Sequence, residues 1–436
     1  MKNHTPQTET NTKGKSHKPP AEGRPAGTVV ETYLAPPPPS KGRIVGLDCH
    51  PDTFTAAVCR GSTPGDMRQL SCHDGMSLDK LMAWAKKELT GEDLILMEAG
   101  ANSFEICRLL HALGLRATVL ESAWVGRHAK KYADNDRMAA ARIVRVYLGG
   151  EAPCVWQPDA ITRERRELLH LYQKAVTAHT QAVNGFKGYL NQFTIRPGSR
   201  KLSSPKMETW LLGQREWTAL QRELLADHFS QLRQQEERRV KFTRLISAQI
   251  CAEPLMLSCM KLLGIGRINA FALLAIIGDV KRFATPRKLV AYLGLNPGLK
   301  ESGHGKSQKV GMGKRGRGDM RHLLIQAAHA VLRSGRDTAL GKWGWKLFAR
   351  KGHRNVAVAA VARKLVTQVW HVLNGHRVEA LENDKSYGAK LKQLCVTLGK
   401  KLRAQLCLPA TLEGCIASLK NLTSIPPTPT FSQETA

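Results

Sequence analysis

Acidic residues are scarce in this sequence. Its 436 residues include 36 Asp and Glu against 66 Lys and Arg, which gives a formal net charge of +30. A surface with this excess of positive charge attracts polyanions. The excess extends along the whole chain instead of being confined to one tail, so nucleic acid is the partner that the composition favours.

The sequence also lacks an apolar run of about 18 residues and a signal peptide with an apolar h-region. These absences argue against an acidic membrane surface as the partner and predict a soluble, cytoplasmic protein that associates with the bacterial nucleoid. The ten cysteines form no CxxC pair and no Cys/His ligand spacing. We therefore expect reduced thiols, with neither a disulfide framework nor a zinc site.

Composition and periodicity divide the chain into five predicted regions. Residues 1–42, which end in a Pro-rich run, are predicted to be a disordered extension. Strands alternate with helices in 43–150, which indicates a mixed α/β domain. Two long amphipathic helices in 151–255 favour an antiparallel coiled coil. Residues 256–375 form a predicted helical domain, and 376–436 hold a basic helix and a disordered tail.

Carboxylates follow buried runs in the predicted α/β domain. Asp48 ends the first strand of a predicted hairpin, and Glu98 ends a second strand in "DLILMEAG". Asp134 and Asp136 lie beside the start of a helix. Carboxylates that converge from separate elements need a cation, and hard oxygen ligands favour Mg²⁺. The alternative interpretation is that each Asp is an ordinary turn or N-cap residue.

Two glycines mark a turn in the segment "LLGIGRINAFALLAIIGD". The turn at Gly264 and Gly266 resembles that of a helix-hairpin-helix, in which backbone N–H groups face a DNA phosphate. The alternative is an ordinary helical hairpin whose apolar residues only pack a core.

A glycine-rich basic loop follows, with Ser302 near its start. Its cations could neutralise several phosphates: Lys306, Lys309, Lys314, Arg315, Arg317 and Arg321. A plain RNA-binding loop has the same composition, and in that case Ser302 is incidental.

Five segments occur in an order found in one group of proteins: "VGLDCHPDTFTAAV", "LMEAG", "NDRMAAARIVRVYLGG", "LLGIGRINAFALLAIIGDVKRFATPRKLVAYLGLNPGLKESG", which ends in an SG motif at Ser302, and "GKRGRGDMRHLLIQAAHAVLR". Over about 43–375 the chain resembles the insertion-sequence "one-ten" transposases. These are DEDD-type serine recombinases related to Piv-type DNA invertases. The resemblance is most specific in its C-terminal stretch.

The resemblance implies a RuvC-like (RNase H fold) N-terminal domain, a coiled coil and a C-terminal transposase domain. It places the Mg²⁺-binding acids at Asp48, Glu98 and Asp136, and the serine that attacks DNA at Ser302. It also implies that a non-coding bridge RNA pairs with target and donor DNA. The expected assembly is a homo-oligomer, a dimer that becomes a tetramer when the DNA ends are synapsed.

The chain departs from the family pattern at Ala139, where the fourth acid is expected. Asp134 is the candidate substitute in the sequence, although helix geometry aims it elsewhere. Two other functions therefore stay open. One is a metal-dependent junction nuclease without a covalent intermediate, and the other is a degenerate copy that binds nucleic acid without chemistry.

Overall fold

The computed structural model describes residues 42–128, 135–300, 308–313, 316–336, 338–376 and 383–423. The predicted disordered extension and tail lie outside these residues, except for Gly42. The chain forms two compact units, Met1–Trp156 and Gln157–Ala436. The first unit is α/β and the second is almost entirely helical, so the predicted mixed α/β and α architecture is confirmed.

A five-stranded mixed sheet forms the centre of the first unit. Its strands are β1 (Ile44–Cys49), β2 (Phe54–Arg60), β3 (Arg68–Met76), β4 (Leu94–Glu98) and β5 (Arg116–Leu120). Their order is β3-β2-β1-β4-β5. The hairpin of β1 and β2 is antiparallel, as predicted, while β4 is parallel to β1 and β5 is parallel to β4. The carboxyl ends of β1 and β4 therefore lie side by side.

Helices cover both faces of this sheet. Helices α1 (Leu78–Glu88) and α2 (Ser103–Ala112) belong to one side, where Leu47 and Met97 are buried. On the opposite face lie α3 (Ser122–Val125) and α4 (Asp136–Leu148), with Leu96 buried beneath α4. Since strand residues alternate between faces, the even-numbered positions of β1 and β4 point toward α4.

Two long helices begin the second unit. They are α5 (Ala160–Asn191) and α7 (Ala219–Cys251), joined through the short α6 (Pro205–Leu212). Their pairing is antiparallel, because Arg165 near the start of α5 forms an ion pair with Glu253 just after α7, while Phe186 contacts Phe229 near the other end. The predicted antiparallel arrangement is present; the prediction of coiled-coil packing stays a prediction.

The helix pair has apolar packing at its two ends and charge between them. At the distal end one cluster joins α5, α6 and α7: Phe186, Leu190, Leu202, Met207, Leu211, Trp217, Leu225, Phe229 and Leu232. At the proximal end Leu169 and Ile246 belong to the core of the C-terminal helices. Between the two clusters, Glu236 accepts hydrogen bonds from Lys201 and Ser203.

The remaining helices form a single large core. They are α8 (Pro254–Lys261), α9 (Arg267–Ile277), α10 (Pro286–Tyr292), α11 (Gly318–Ser334), α12 (Ala339–Lys351), α13 (Arg354–Leu373), α14 (Asp384–Gln405) and α15 (Leu412–Leu422). A two-stranded hairpin, β6 (Pro297–Lys300) and β7 (Gln308–Met312), is inserted between α10 and α11.

A lysine of α14 forms hydrogen bonds with the C-terminal end of α8. The Lys390 Nζ donates hydrogen bonds to the carbonyl oxygens of Met260 and Leu262, at 2.7 and 2.8 Å. These carbonyls have no partner within α8, since a helix leaves its last C=O groups unsatisfied. Burial lowers the pKa of Lys390 to about 8.

Helix α13 (Arg354–Leu373) is long and apolar enough to cross a membrane, with a mean hydropathy of 1.3 in an 18-residue window. However, 61% of that window is buried within the protein. Its apolar residues, Val361 and Leu365 among them, belong to the core of the second unit. The composition of α13 is thus accounted for by packing against neighbouring helices.

Candidate metal centre

The position of α4 depends on a glycine in β1. A Cβ atom added at Gly46 would overlap the carbonyl oxygen of Ala140. The helix therefore lies directly on the strand, which only glycine permits here. This close approach brings the first turn of α4, which begins at Asp136 and is capped by Asn135, to the carboxyl edge of the sheet.

Two carboxylate side chains extend from that edge of the sheet, on the face that α4 covers. Leu47 pairs with Met97 across the parallel β1 and β4 strands. The next residues, Asp48 and Glu98, consequently have equivalent places on adjacent strands and point to the same face. The sequence-based expectation that they share a sheet edge agrees with this arrangement.

His50 joins Asp48 to Asp136. Its Nε2 lies 3.4 Å from an Oδ of Asp48 and 3.4 Å from an Oδ of Asp136. One ligand atom from each of these three residues lies within 4.8 Å of the other two. The backbone of His50 is held by two hydrogen bonds, from its N–H to the carbonyl of Thr53 and from the Asn102 side chain to its own carbonyl.

The electrostatics of the edge are unfavourable without a cation. Burial raises the pKa of the Asp48 carboxyl above its ordinary value; His50 opposes the rise, and the negative charge of Asp136 adds to it. Burial also raises the pKa of Glu98, Arg142 opposes this, and Asp48 adds to it. Partly desolvated carboxylates that disfavour one another's charge would be stabilised by a bound cation.

The donor atoms fit a divalent metal ion. Two carboxylates supply hard oxygen ligands, which Mg²⁺ and Mn²⁺ prefer, and the imidazole supplies a nitrogen that transition metals accept more readily than Mg²⁺ does. Glu98 is outside the set of three, although it interacts electrostatically with Asp48.

Along α4 the place expected for the fourth acid is occupied by Ala139, which is half-buried. One turn further on, Arg142 is close enough for its positive charge to oppose the rise in the pKa values of both Asp48 and Glu98. In the described part of α4, the face that carries Asp136 continues with Ala139 and Arg142, and it has no fourth carboxylate. Asp134, the suggested substitute, lies outside the described residues.

Most of the predicted DNA-binding loop also lies outside the described residues: Ser302, Lys306, Lys314 and Arg315. Lys309 has its backbone in β7. The described flanks are the two strands of the hairpin and the start of α11. Whether these residues contact DNA stays a prediction.

The two arginines of the loop that the structure describes have partners within the protein. Arg317 forms a bidentate ion pair with Asp319, with distances of 2.9 and 3.1 Å. The Arg321 Nε donates a hydrogen bond of 2.7 Å to the carbonyl of Gly294, after α10. These contacts fix the junction between the hairpin and α11.

The two glycines of the turn differ in their surroundings: Gly264 is closely packed, and Gly266 faces open space. Gly264 has φ +86°, and a Cβ there would lie 2.6 Å from the carbonyl oxygen of Ala327 in α11. Gly266 is the N-cap of α9, and a Cβ there would meet no other atom within 4 Å. Close packing against α11 thus accounts for the glycine at position 264, and no bound ligand is needed to explain it.

His50 is the residue of this centre that the sequence analysis missed. A signal for it was present, since His50 lies two residues after Asp48 in the tight turn of a hairpin. An imidazole at that spacing was not distinguishable from an ordinary turn residue until the structure placed α4 beside it.

Comparisons with known proteins agree with the sequence resemblance. Residues 258–340, from α8 to the start of α12, match the model of the transposase IS116/IS110/IS902 family. The chain is 26% identical over 363 residues to the putative transposase y4qE of Sinorhizobium fredii, an alignment that covers 76% of this chain and 88% of that protein.

Two further relatives are similar. A probable family 20 transposase of Pseudomonas aeruginosa is 27% identical over 291 residues, covering 64% of this chain and 84% of the relative. The transposase for insertion sequence element IS1111A of Coxiella burnetii is 25% identical over 289 residues, covering 64% and 77%. The chain is thus similar to transposases of insertion sequences over most of its length, and its residues 258–340 match the IS116/IS110/IS902 family model.

Proposed function

We propose that the protein is the transposase of an insertion sequence, and that it cuts and rejoins DNA with a metal-binding N-terminal unit and a serine nucleophile. The observation that carries the proposal is the convergence of Asp48, His50 and Asp136 in a chain similar to known transposases. A RuvC-like fold for the first unit is part of the proposal. Its support is the mixed sheet with carboxylates at the ends of adjacent parallel strands.

In this proposal the carboxylates of Asp48 and Asp136 and the imidazole of His50 hold a divalent cation, with Mg²⁺ as the expected ion. Glu98 stands beside them and adds negative charge. When bound, the cation would supply positive charge that offsets the charge developing on a phosphate during strand transfer. Asn102 would keep His50 in place through its hydrogen bond to the His50 carbonyl.

Ser302 is the proposed nucleophile. Its Oγ would form a bond to a DNA phosphorus as the bond from that phosphorus to one deoxyribose oxygen breaks, and the serine proton would pass to a base or to the leaving oxygen. The phosphoserine ester keeps the energy of the original bond, so that a new hydroxyl can attack it and rejoin the DNA without ATP.

The proposal requires that Ser302, in the second unit, and the acids of the first unit act on one DNA strand. They would meet within one chain or between copies of it, which is why a dimer, and a tetramer on synapsed ends, belong to the proposal. The proposal also includes a bridge RNA that pairs with target and donor DNA, and its support is the family resemblance alone.

The test is trapping of the covalent intermediate. The full chain is incubated with Mg²⁺ and a duplex that carries the end of its element, then denatured, digested and analysed by mass spectrometry. We expect a nucleotide on the peptide with Ser302, and no adduct from Ser302→Ala. Ser307→Ala, a serine in the same loop, is the matched control and should form the adduct.

A second candidate function is a metal-dependent nuclease. It is favoured by the fact that all the candidate ligands belong to the first unit, so hydrolysis would need no serine from the second. Metal-dependent cleavage without any adduct, unaffected by Ser302→Ala, would establish this function and reject the recombinase. Absence of cleavage with every divalent metal would indicate a nucleic-acid-binding protein without chemistry.

A further inference from the structure

One region of the C-terminal unit combines many cations with a complete lack of acids. Between Asp337 and Glu379 the sequence contains no Asp or Glu, but it contains eight Lys and Arg. This segment forms α12 and α13. An acid-free stretch of this length has positive charges that no carboxylate of the same segment can neutralise.

Three of the cations lie in a row on α12. Lys342, Lys346 and Arg350 are all exposed and follow one another at intervals of four residues. We call them the α12 row. Such spacing puts neighbouring side chains on the same helix face, where like charges repel and destabilise the helix. At the turn into α13, Lys351 and Arg354 are also exposed and extend the row.

None of these five cations forms an ion pair with a residue of the described part of the chain. Other arginines do have such partners, for instance Arg317 with Asp319. Repulsion between neighbouring cations is therefore left uncompensated within the described structure. A polyanionic partner would compensate it.

The orientation of the α12 row is fixed by the opposite side of the helix. A Cβ at Gly344 would lie 2.6 Å from the Leu332 side chain and 2.8 Å from that of Val361, so α12 packs closely on α11 and α13. The Trp345 indole donates a hydrogen bond of 2.9 Å to the Leu332 carbonyl. The helix cannot turn its cations away from solvent without breaking these contacts.

The two tryptophans of α12 are half-buried, and each has a cation over its ring. Lys364 lies over the Trp343 ring at 4.4 Å, and Arg336 lies over the Trp345 ring at 5.0 Å. Single-stranded nucleic acid is held largely by stacking on open aromatic rings, which these are not. Most apolar side chains of α13 are buried in the core. Val356 is exposed, at 45%, so the surface offers little apolar area to insert into a lipid bilayer.

We propose that the α12 row, with Lys351 and Arg354, is a docking surface for the phosphate backbone of duplex DNA. The row spans about 12 Å along the helix, and duplex DNA carries roughly seven phosphates over that length of axis. A straight, rigid row of cations matches a regular line of phosphates. The proposal rests on the proposed function, in which the chain acts on DNA.

The test compares two charge-matched triple variants of the full chain. One is Lys342→Gln, Lys346→Gln and Arg350→Gln. The control is Lys80→Gln, Lys86→Gln and Lys87→Gln, which removes three exposed cations from α1 in the other unit. Binding to a fluorescent DNA duplex is measured by anisotropy from about 50 to 200 mM salt.

We expect the α12 variant to bind duplex DNA about tenfold or more weakly, and its plot of log K against log salt to lose about 2.7 units of slope. The control variant should keep the slope of the unaltered protein. Equal losses in both triples would mean a general charge effect and would overturn the proposal, as would no loss in the α12 variant.

Two more arms identify the partner. The same proteins are titrated with an RNA hairpin and with vesicles that contain phosphatidylserine. Loss of RNA or vesicle binding in the α12 variant, with DNA binding unchanged, would reject duplex DNA as the occupant. The unaltered protein could bind DNA through the α12 row and yet form no adduct and make no cut. That outcome would reject the proposed function but not the docking surface.

Discussion

The imidazole of His50 lies 3.4 Å from the carboxylate of Asp136. This contact connects the turn of the first hairpin to the first turn of α4, which are far apart in sequence. It brings together a candidate nitrogen ligand and a candidate oxygen ligand that no local motif contains. The centre therefore depends on the packing of α4 as much as on the identity of its acids.

Replacing His50 should weaken metal binding in the absence of DNA. We expect His50→Ala to lower the affinity for Mn²⁺, used as the probe ion, by about tenfold or more, because one of three ligands is lost. Isothermal titration calorimetry on the full chain measures this directly. His73→Ala, another histidine of the same unit, should bind Mn²⁺ normally. Equal affinity in the two variants would remove His50 from the site.

Gly46→Ala should displace α4. The added methyl group overlaps the carbonyl of Ala140, so we expect a loss of about 1–3 kcal/mol in unfolding free energy and weaker Mn²⁺ binding through displacement of Asp136. Gly65→Ala is the control, because the nearest atom to a Cβ there is 4.0 Å away. Thermal unfolding and calorimetry report the two effects separately. Normal metal binding by Gly46→Ala would show that α4 need not touch β1.

Ala139→Asp should strengthen the metal centre. The new carboxylate would be one helical turn from Asp136, close enough to share an ion. We expect the Mg²⁺ concentration for half-maximal strand cleavage to fall severalfold, roughly tenfold at most. Ala141→Asp adds the same charge to another side of α4 and should not lower the requirement. If Ala139→Asp leaves it unchanged, a missing fourth acid does not limit the activity.

The buried lysine of α14 predicts a pH effect on stability. The pKa of Lys390 is lowered from 10.5 to about 8, so between these values the unfolded chain holds a proton that the native protein has released. Native stability contributed by this group therefore rises with pH across that window. A neutral amine still has two N–H groups for its two carbonyl partners.

We expect the unfolding free energy of the unaltered protein, relative to Lys390→Met, to increase between pH 8 and 10 by on the order of 1–2 kcal/mol. Thermal or urea unfolding of the two proteins at several pH values measures the difference. Taking the difference cancels the titration of other groups. A constant difference across the window would show that Lys390 titrates as in an unfolded chain.

Local patterns were enough to predict much of the first unit and the helix pair that begins the second. The apolar runs around Asp48 and Glu98 indicated strands, and the position of both acids at strand ends followed from those runs. The antiparallel pair of α5 and α7 was predicted from the periodicity of two long amphipathic helices. These features depend on residues close together in sequence.

Features that depend on distant contacts were not predicted. Spacing along the chain does not indicate that Arg321 lies against Gly294. The sequence predicts Arg321 as a DNA ligand, and the structure shows that it also holds the junction of the hairpin and α11. The role of His50 required knowledge of where α4 lies. In both cases a polar side chain finds its partner across the fold, which spacing along the chain does not encode.

Among the residues that the structure describes, the helix pair of α5 and α7 joins the main core of its unit at its proximal end. Its distal cluster around Phe186 and Phe229 is separate from the main core, and the charged stretch around Glu236 lies between them. A segment of this kind can open locally at a free energy below that of global unfolding. Amide protons near Phe186 should then exchange faster than those near Ile246, so the pair behaves as two cooperative segments in series instead of one stiff rod.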